Sequence, residues 1–321
     1  MQDDFADITH IVTEVSESPT FLGGASFIEN VYFHALNGYT DILALRPVDG
    51  SQYIYPADVQ IIGQIAETDC RLLPCGGWKD NWHRPLVDTK AVGSLVAPIW
   101  KKLDVLWRNV PENVVQMQNL SSGRHGYTIG NALLLNGSGI KIRHTLFKSN
   151  PCPTGIHSGD NTSAVRETHH RSPMSSTSTL SIPASILNQN TPFPPRAWVD
   201  GCVHDSARHA MSVLLSDGTL HAQPIPVYDV SGKLLPPSDY RSVLPGALVY
   251  VKVKIIRQYL TQQRTINLYA DIQRMQILRP RPRLMGDPKP SEDVNWTAQR
   301  TDNGRVITYA NPVSSQITRH D

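Results

Sequence analysis

The sequence predicts a mainly β protein with a minor helical part, a β-rich α+β fold, on three observations. Short runs of β-branched and aromatic residues are separated by hairpin dipeptides, Asn37-Gly38, Asp49-Gly50 and Asn136-Gly137. Ala247–Arg257 is the longest alternating apolar/polar run in the chain. Against these, a single stretch, Val92–Val110, stands out for apolar residues at helical spacing.

Taken in order, residues 1–20 are acidic and weakly patterned, and read as a tail. Phe27–Leu36, Asp41–Leu45, Tyr53–Tyr55 and Val59–Ile65 follow as strand-like runs. Leu95, Ile99, Leu103, Leu106 and Trp107 lie along one helical stripe, with Pro98 a flaw near its start. Tyr127–Leu135 and Ile140–Phe147 form a hairpin about Asn136-Gly137-Ser138-Gly139. Residues 21–149 therefore read as a β-rich N-terminal domain with one helix.

Composition shifts at Asn150. Residues 150–196 repeat Pro, Ser, Thr and Asn, and offer too little apolar surface to offset chain entropy, which predicts a disordered linker. In 197–278, Trp198–Val203 reads as a strand interrupted by Gly201. Ala210–Leu215 and Thr219–Val227 read as strands about Ser216-Asp217-Gly218, followed by a polar excursion, Val230–Leu244. Pro245-Gly246 leads into the long alternating run, and Ile266–Leu278 closes the series. Residues 279–321 open on Arg-Pro-Arg-Pro-Arg and read as a basic-to-polar disordered tail.

A bent first strand marked by Gly201, a hairpin at Asp217-Gly218, an excursion, then Pro245-Gly246 before Val249-Tyr250-Val251-Lys252-Val253-Lys254 resembles the oligonucleotide/oligosaccharide-binding (OB) fold. The likeness spans about a quarter of the chain. It is one of strand order rather than of a signature motif. It implies a small five-stranded barrel over 197–278 and a nucleic-acid ligand.

Charge is divided unevenly. Arg241–Leu284 holds nine Lys/Arg and one acid, whereas the first seventy residues hold eleven acids and one base. Strand alternation turns Val249, Val251, Val253 and Ile255 to one side and Tyr250, Lys252 and Lys254 to the other. Leu268, Ala270 and Ile272 continue the inner side, leaving Tyr269 outside. Rings that stack bases beside cations that neutralise phosphates are what single-stranded DNA or RNA needs. The expected contacts are Tyr250, Lys252, Lys254, Tyr259, Arg264 and Tyr269, with Arg279, Arg281 and Arg283 as a trailing arm. A solvated strand face, or a protein partner docking on an adaptor with no nucleic-acid activity, accounts for the same residues.

No nucleophile elbow and no phosphate-cradling glycine loop occurs, so an enzyme is not expected, and neither is a cofactor. Cys70, Cys75, Cys152 and His157 are zinc candidates whose spacing is looser than in most structural sites. His204, Asp205 and His209 gather titratable groups at the end of an expected strand. Trp78 and Trp82 either form an aromatic surface or pack onto the N-terminal core. Apolar runs fall far short of the ~20 residues a membrane helix needs. An intracellular protein is expected, nuclear rather than cytoplasmic if Arg279–Arg283 acts as an import signal.

Overall fold

The computed structural model describes residues 8–47, 53–120, 126–135, 139–149, 193–216, 220–281, 296–300 and 306–310. Two compact units divide the chain, Met1–Arg281 and Pro282–Asp321.

The first unit begins with α1 (Thr9–Ser16) and α2 (Phe27–Asn30), then β1 (Val31–Asn37), β2 (Thr40–Leu45) and β3 (Asp58–Ile65). After β4 (Lys90–Val96) come α3 (Asp104–Trp107) and α4 (Val110–Asn119), then β5 (Thr128–Asn131), β6 (Leu134–Leu135), β7 (Gly139–Thr145) and β8 (Phe147–Ser149). α5 (Pro195–Asp200) and α6 (Asp205–Ser216) precede β9 (Leu220–Ala222), β10 (Val227–Tyr228) and α7 (Tyr240–Val243). The long pair β11 (Leu248–Leu260) and β12 (Thr265–Arg279) closes the unit.

Ten strands make one mixed sheet in the order β1-β2-β11-β3-β4-β7-β12-β10, with β5 on β12 and β6 on β7. β11 is its hub. Antiparallel to β12 along its whole length, it pairs on its other edge with β3 through Leu248–Lys254 and with β2 through Ile256–Gln258. β3 pairs with β4, β4 with β7, and β7 with β12 through the parallel bridge Arg143–Asp271, so the pairings return to β11.

The alternation expected for the last two strands holds. Val249, Val251, Val253, Ile255, Leu268, Ala270 and Ile272 are all buried, and they join Ile61, Leu95, Ile140 and Ile142 in one apolar core. A bulge between Lys252 and Val253 leaves Gln273 as the extra residue on β12, as bulged antiparallel pairs require.

Several local expectations are overturned. Lys90–Val96 is a strand: Pro98 disfavours a helical Ala97, and Ala91, Gly93 and Leu95 alternate inward. The helical stripe survives only beyond it, where Leu103 and Leu106 are buried in short turns while Ile99 is exposed. Phe27–Asn30 is a helical turn ahead of β1. The first half of Trp198–Val203 is helix, Trp198–Asp200 ending α5, whose Pro195 occupies the first turn, a position that suits proline. Ala210–Leu215 lies within α6, whose Ala207 and Met211 are four apart and both buried.

Residues 197–278 thus do not supply five strands by themselves. They contribute β10, β11 and β12 to a sheet completed by strands from 31–145. Nor is 1–20 only a tail. Ile8 and Val15 pack with Phe21, Ile62, Leu103, Leu106, Leu248 and Leu278 in a second apolar cluster on the back of β3 and β11.

In the second unit, β13 (Trp296–Arg300) pairs antiparallel with β14 (Val306–Ala310), within the segment read as a disordered tail. Threonine, valine, isoleucine and aromatic residues favour such a pair. Apart from 279–281, the rest of that segment lies outside the described residues, as does nearly all of 150–196.

Candidate nucleic-acid interface

Of the residues expected to form one outward face, Tyr250, Lys252 and Lys254 lie on one side of β11, with Lys252 Nζ 6.0 Å from the Tyr250 ring centre, but that side is half-buried. Tyr250 joins the second apolar cluster, and its hydroxyl donates to Gln60 Oε1 at 2.6 Å. Burial, with Glu14 nearby, pushes its pKa up. The face expected to be open is covered by α1, whose apolar side no charge count reveals. Lys252 and Lys254 are half-buried on that strand. Tyr259 is 3% exposed, and its hydroxyl donates to Asp41 Oδ2 at 2.7 Å. It lies near the end of β11, on its inward side. Arg264 is exposed in the β11–β12 turn with φ 48°. Arg281 pairs with Glu67 at 3.2 Å. Arg279 ends β12, half-buried, and Arg283 lies outside the described residues.

Tyr269 is different. The guanidinium of Arg143 stacks 3.3 Å from its ring centre, and Arg143 also binds Asp271, Nε to Oδ1 at 2.5 Å. This places Tyr269 at the rim of a basic face that the sequence reading missed.

That face is built by β4 and β7. Ala91, Gly93 and Leu95 on one strand, and Ile140 and Ile142 on the other, are buried inward. Alternation then sends Lys90, Val92 and Ser94 outward, opposite Thr145, Arg143 and Lys141 in the antiparallel register. Lys90 Nζ donates to Thr145 Oγ1 at 3.0 Å, which confirms the shared side. The loop after β3 adds Arg71, whose backbone pairs with Val92 as an isolated bridge.

Arg143 sits close enough to repel both Lys90 and Lys141, and Arg71 close enough to repel Lys141. Burial and the Arg143 charge hold Lys90 below its ordinary pKa, partly offset by Asp271. Burial, Arg71 and Arg143 do the same to Lys141. The Arg84 and Arg71 guanidinium carbons approach the Trp82 indole, 4.9 Å and 5.9 Å from its ring centre. Trp78 packs on the core instead, donating Nε1 to the Arg84 carbonyl at 2.9 Å.

Four cations thus share one face, with Asp271 bound to Arg143, and concentrate positive charge there. The clue was available. Lys141 and Arg143 alternate with Ile140 and Ile142, but a charge sum along the chain does not reveal a face assembled across strands about fifty residues apart.

Among the described residues no three His, Cys, Asp or Glu side chains gather as a metal site. Cys75 and Cys202 are buried in mutual contact, and the hydrogen bond from Cys202 holds the Cys75 thiol below its ordinary pKa while Cys202 is raised. Cys70 is half-buried, its pKa raised by burial. Cys152 and His157 lie outside the described residues. Asp205 binds Arg208 at 2.7 Å, on α6. No described helix is long and apolar enough to cross a membrane.

Comparison with known proteins matches no family model, no curated protein and no solved structure.

Proposed function

We propose that β3, β4, β7, β11 and β12 form a small OB-like barrel and that its β4–β7 face binds single-stranded nucleic acid. The strand order supports the barrel. β3, β4 and β7 make an antiparallel meander, an excursion follows, and the β11–β12 hairpin closes against both β3 and β7. In OB folds the second and third strands, with the loops after the first and fourth, carry oligonucleotides. In this chain those positions hold Lys90, Lys141 and Arg143, with Arg71 and Trp82 in the first loop and Arg264 in the second.

The observation that carries the reading is the cluster of Arg71, Lys90, Lys141 and Arg143 beside Tyr269 and Trp82. Phosphates relieve the mutual repulsion of the cations, and the rings give bases a stacking surface. Neither element selects a sequence, so binding is general and salt-dependent.

Fluorescence anisotropy with labelled single-stranded DNA and RNA, over a range of salt, is the test. Four neutralised phosphates give a log–log salt slope of about −3. Absence of binding at low salt overturns the reading. A second reading, a protein-docking adaptor, draws on the edge strand β1, where Leu36 and, in the turn after it, Tyr39 are exposed. Pull-down by a β1-edge variant and its parent distinguishes the two.

A further inference from the structure

The connection from β3 to β4 carries two exposed arginines, Arg71 and Arg84, on backbone that is tied down. The Arg71 and Val92 backbones exchange hydrogen bonds at 2.8 Å and 3.1 Å. The Arg71 stem lies across Gly77, where a Cβ would stand 3.1 Å from its Cγ and Cδ, and Gly77 has φ 72°, a conformation that favours glycine. Further along, the Trp82 amide donates to the Lys79 carbonyl at 3.0 Å, and the Trp78 indole to the Arg84 carbonyl at 2.9 Å. Both guanidiniums therefore project from fixed points.

They converge on one ring. With their guanidinium carbons 4.9 Å and 5.9 Å from the Trp82 ring centre, Arg84 and Arg71 are no farther apart than the sum of those distances. Together with Asn81 and His83 they line an open recess of about 470 Å³ whose lining contains no carboxylate. Among the described residues neither guanidinium forms an ion pair, although Asp69, Asp80 and Asp88 belong to the same connection. Arg71 also acts on Lys141, so the recess is continuous with the β4–β7 face.

We propose that this recess holds the terminal phosphate of a strand bound on the β4–β7 face, with Arg71 and Arg84 donating to its oxygens. The inference rests on the proposed function and adds an end preference to it. An internal phosphodiester carries one charge, whereas a phosphomonoester carries about −1.5 to −2 at neutral pH and offers three acceptor oxygens. The guanidinium fork matches phosphate geometry and keeps its charge at any physiological pH. Two such forks left unpaired by the fold suit a dianion better than one diester charge. Asn81 and His83, both exposed in the lining, add hydrogen-bond donors. The place suits an end as well, since the recess is built by a connection at the margin of the sheet rather than by the strands that carry the face.

The test uses the full chain and internally labelled strands of about twelve nucleotides that end in hydroxyls, in a 5′-phosphate or in a 3′-phosphate. Phosphate at one end is expected to tighten binding about fivefold, the worth of one charge-assisted contact at an exposed site. Arg84→Ala should remove that gain and leave the hydroxyl-ended strand bound as before. A hydroxyl-ended strand lengthened by about two nucleotides carries the same extra charge, and an equal gain from it overturns the inference. No gain at either end, or a gain that survives Arg84→Ala, overturns it too. Competition by a phosphoserine peptide as strong as that by the phosphorylated strand makes the recess a phosphopeptide site, and the inference falls. In all these cases the hydroxyl-ended strand still binds and the proposed function stands, whereas binding of no strand overturns both. If circular dichroism shows that Arg84→Ala does not fold, Arg84→Gln takes its place in the same comparisons.

Discussion

Arg257 and Asp41, 216 positions apart, meet at 2.7 Å where their side chains are only 4% and 9% exposed. The guanidinium donates through Nε and Nη2 to Asp41 Oδ2, through Nη1 to the Leu120 carbonyl, and lies 3.9 Å from the Phe33 ring centre. Tyr259 completes the carboxylate's coordination. This network fastens the β1–β2 hairpin and the end of α4 to β11. Removing one partner of such a pair leaves the other charge buried and unpaired.

Asp41→Ala is therefore expected to lower stability by about 3–5 kcal/mol. Chemical denaturation of the variant and the parent measures it. A loss below about 1 kcal/mol places the pair in solvent-like surroundings, contrary to its burial.

Two sets of lysine and arginine variants separate the observed face from the one expected from alternation alone. Arg71→Ala and Lys141→Ala should each weaken oligonucleotide binding evenly across sequences and flatten the salt slope by about 0.7. Lys252→Ala and Lys254→Ala should leave that slope nearly unchanged. The reverse ranking, read by anisotropy, moves the interface back to β11.

The tyrosines divide the same way. Tyr269→Ala is expected to cost about 1–3 kcal/mol of binding through lost stacking, with little change in stability. Tyr259→Phe should instead cost stability, about 1–3 kcal/mol for the hydrogen bond lost by buried Asp41, and leave oligonucleotide affinity alone. Parallel melts and titrations of both variants check this.

Lys90 and Lys141 have folded-state pKa values below the ordinary 10.5. Between the folded and unfolded values the unfolded chain binds more protons, so their contribution to stability rises with pH in that window. Polyanion binding favours the charged form and runs the other way. Affinity should fall as pH rises toward 10.5, and binding there should take up protons, which titration calorimetry in buffers of different ionisation enthalpy detects.

Deleting Met1–Ser18 removes Ile8 and Val15 from the cluster that covers Leu248 and Tyr250. A stability loss of about 3 kcal/mol is expected, at least ~1.5 for each buried side chain. An unchanged melting temperature shows that α1 does not hold the back of β11.

Much of the β architecture was legible because hairpins and alternation are local signals. Asn37-Gly38 marks the β1–β2 turn, and period-two patterning names the inward residues of β11 and β12 correctly. Helices α5 and α6 were not legible, since Trp-Val and Val-Leu-Leu runs fit a buried strand as well as a helix, and the decision fell to Pro195 and to packing.

What the chain by itself determined, then, was which side of each long strand is apolar, since that depends only on a residue's parity along an extended backbone. Which edges meet, and hence which charges share a surface, was decided by tertiary structure alone. Register brings Lys90 and Thr145 opposite each other and α1 over Tyr250, although neither contact has a local signature. The cationic face exists because separate segments are held together against their own repulsion by the core beneath them, and no reading along a single stretch contains that sum.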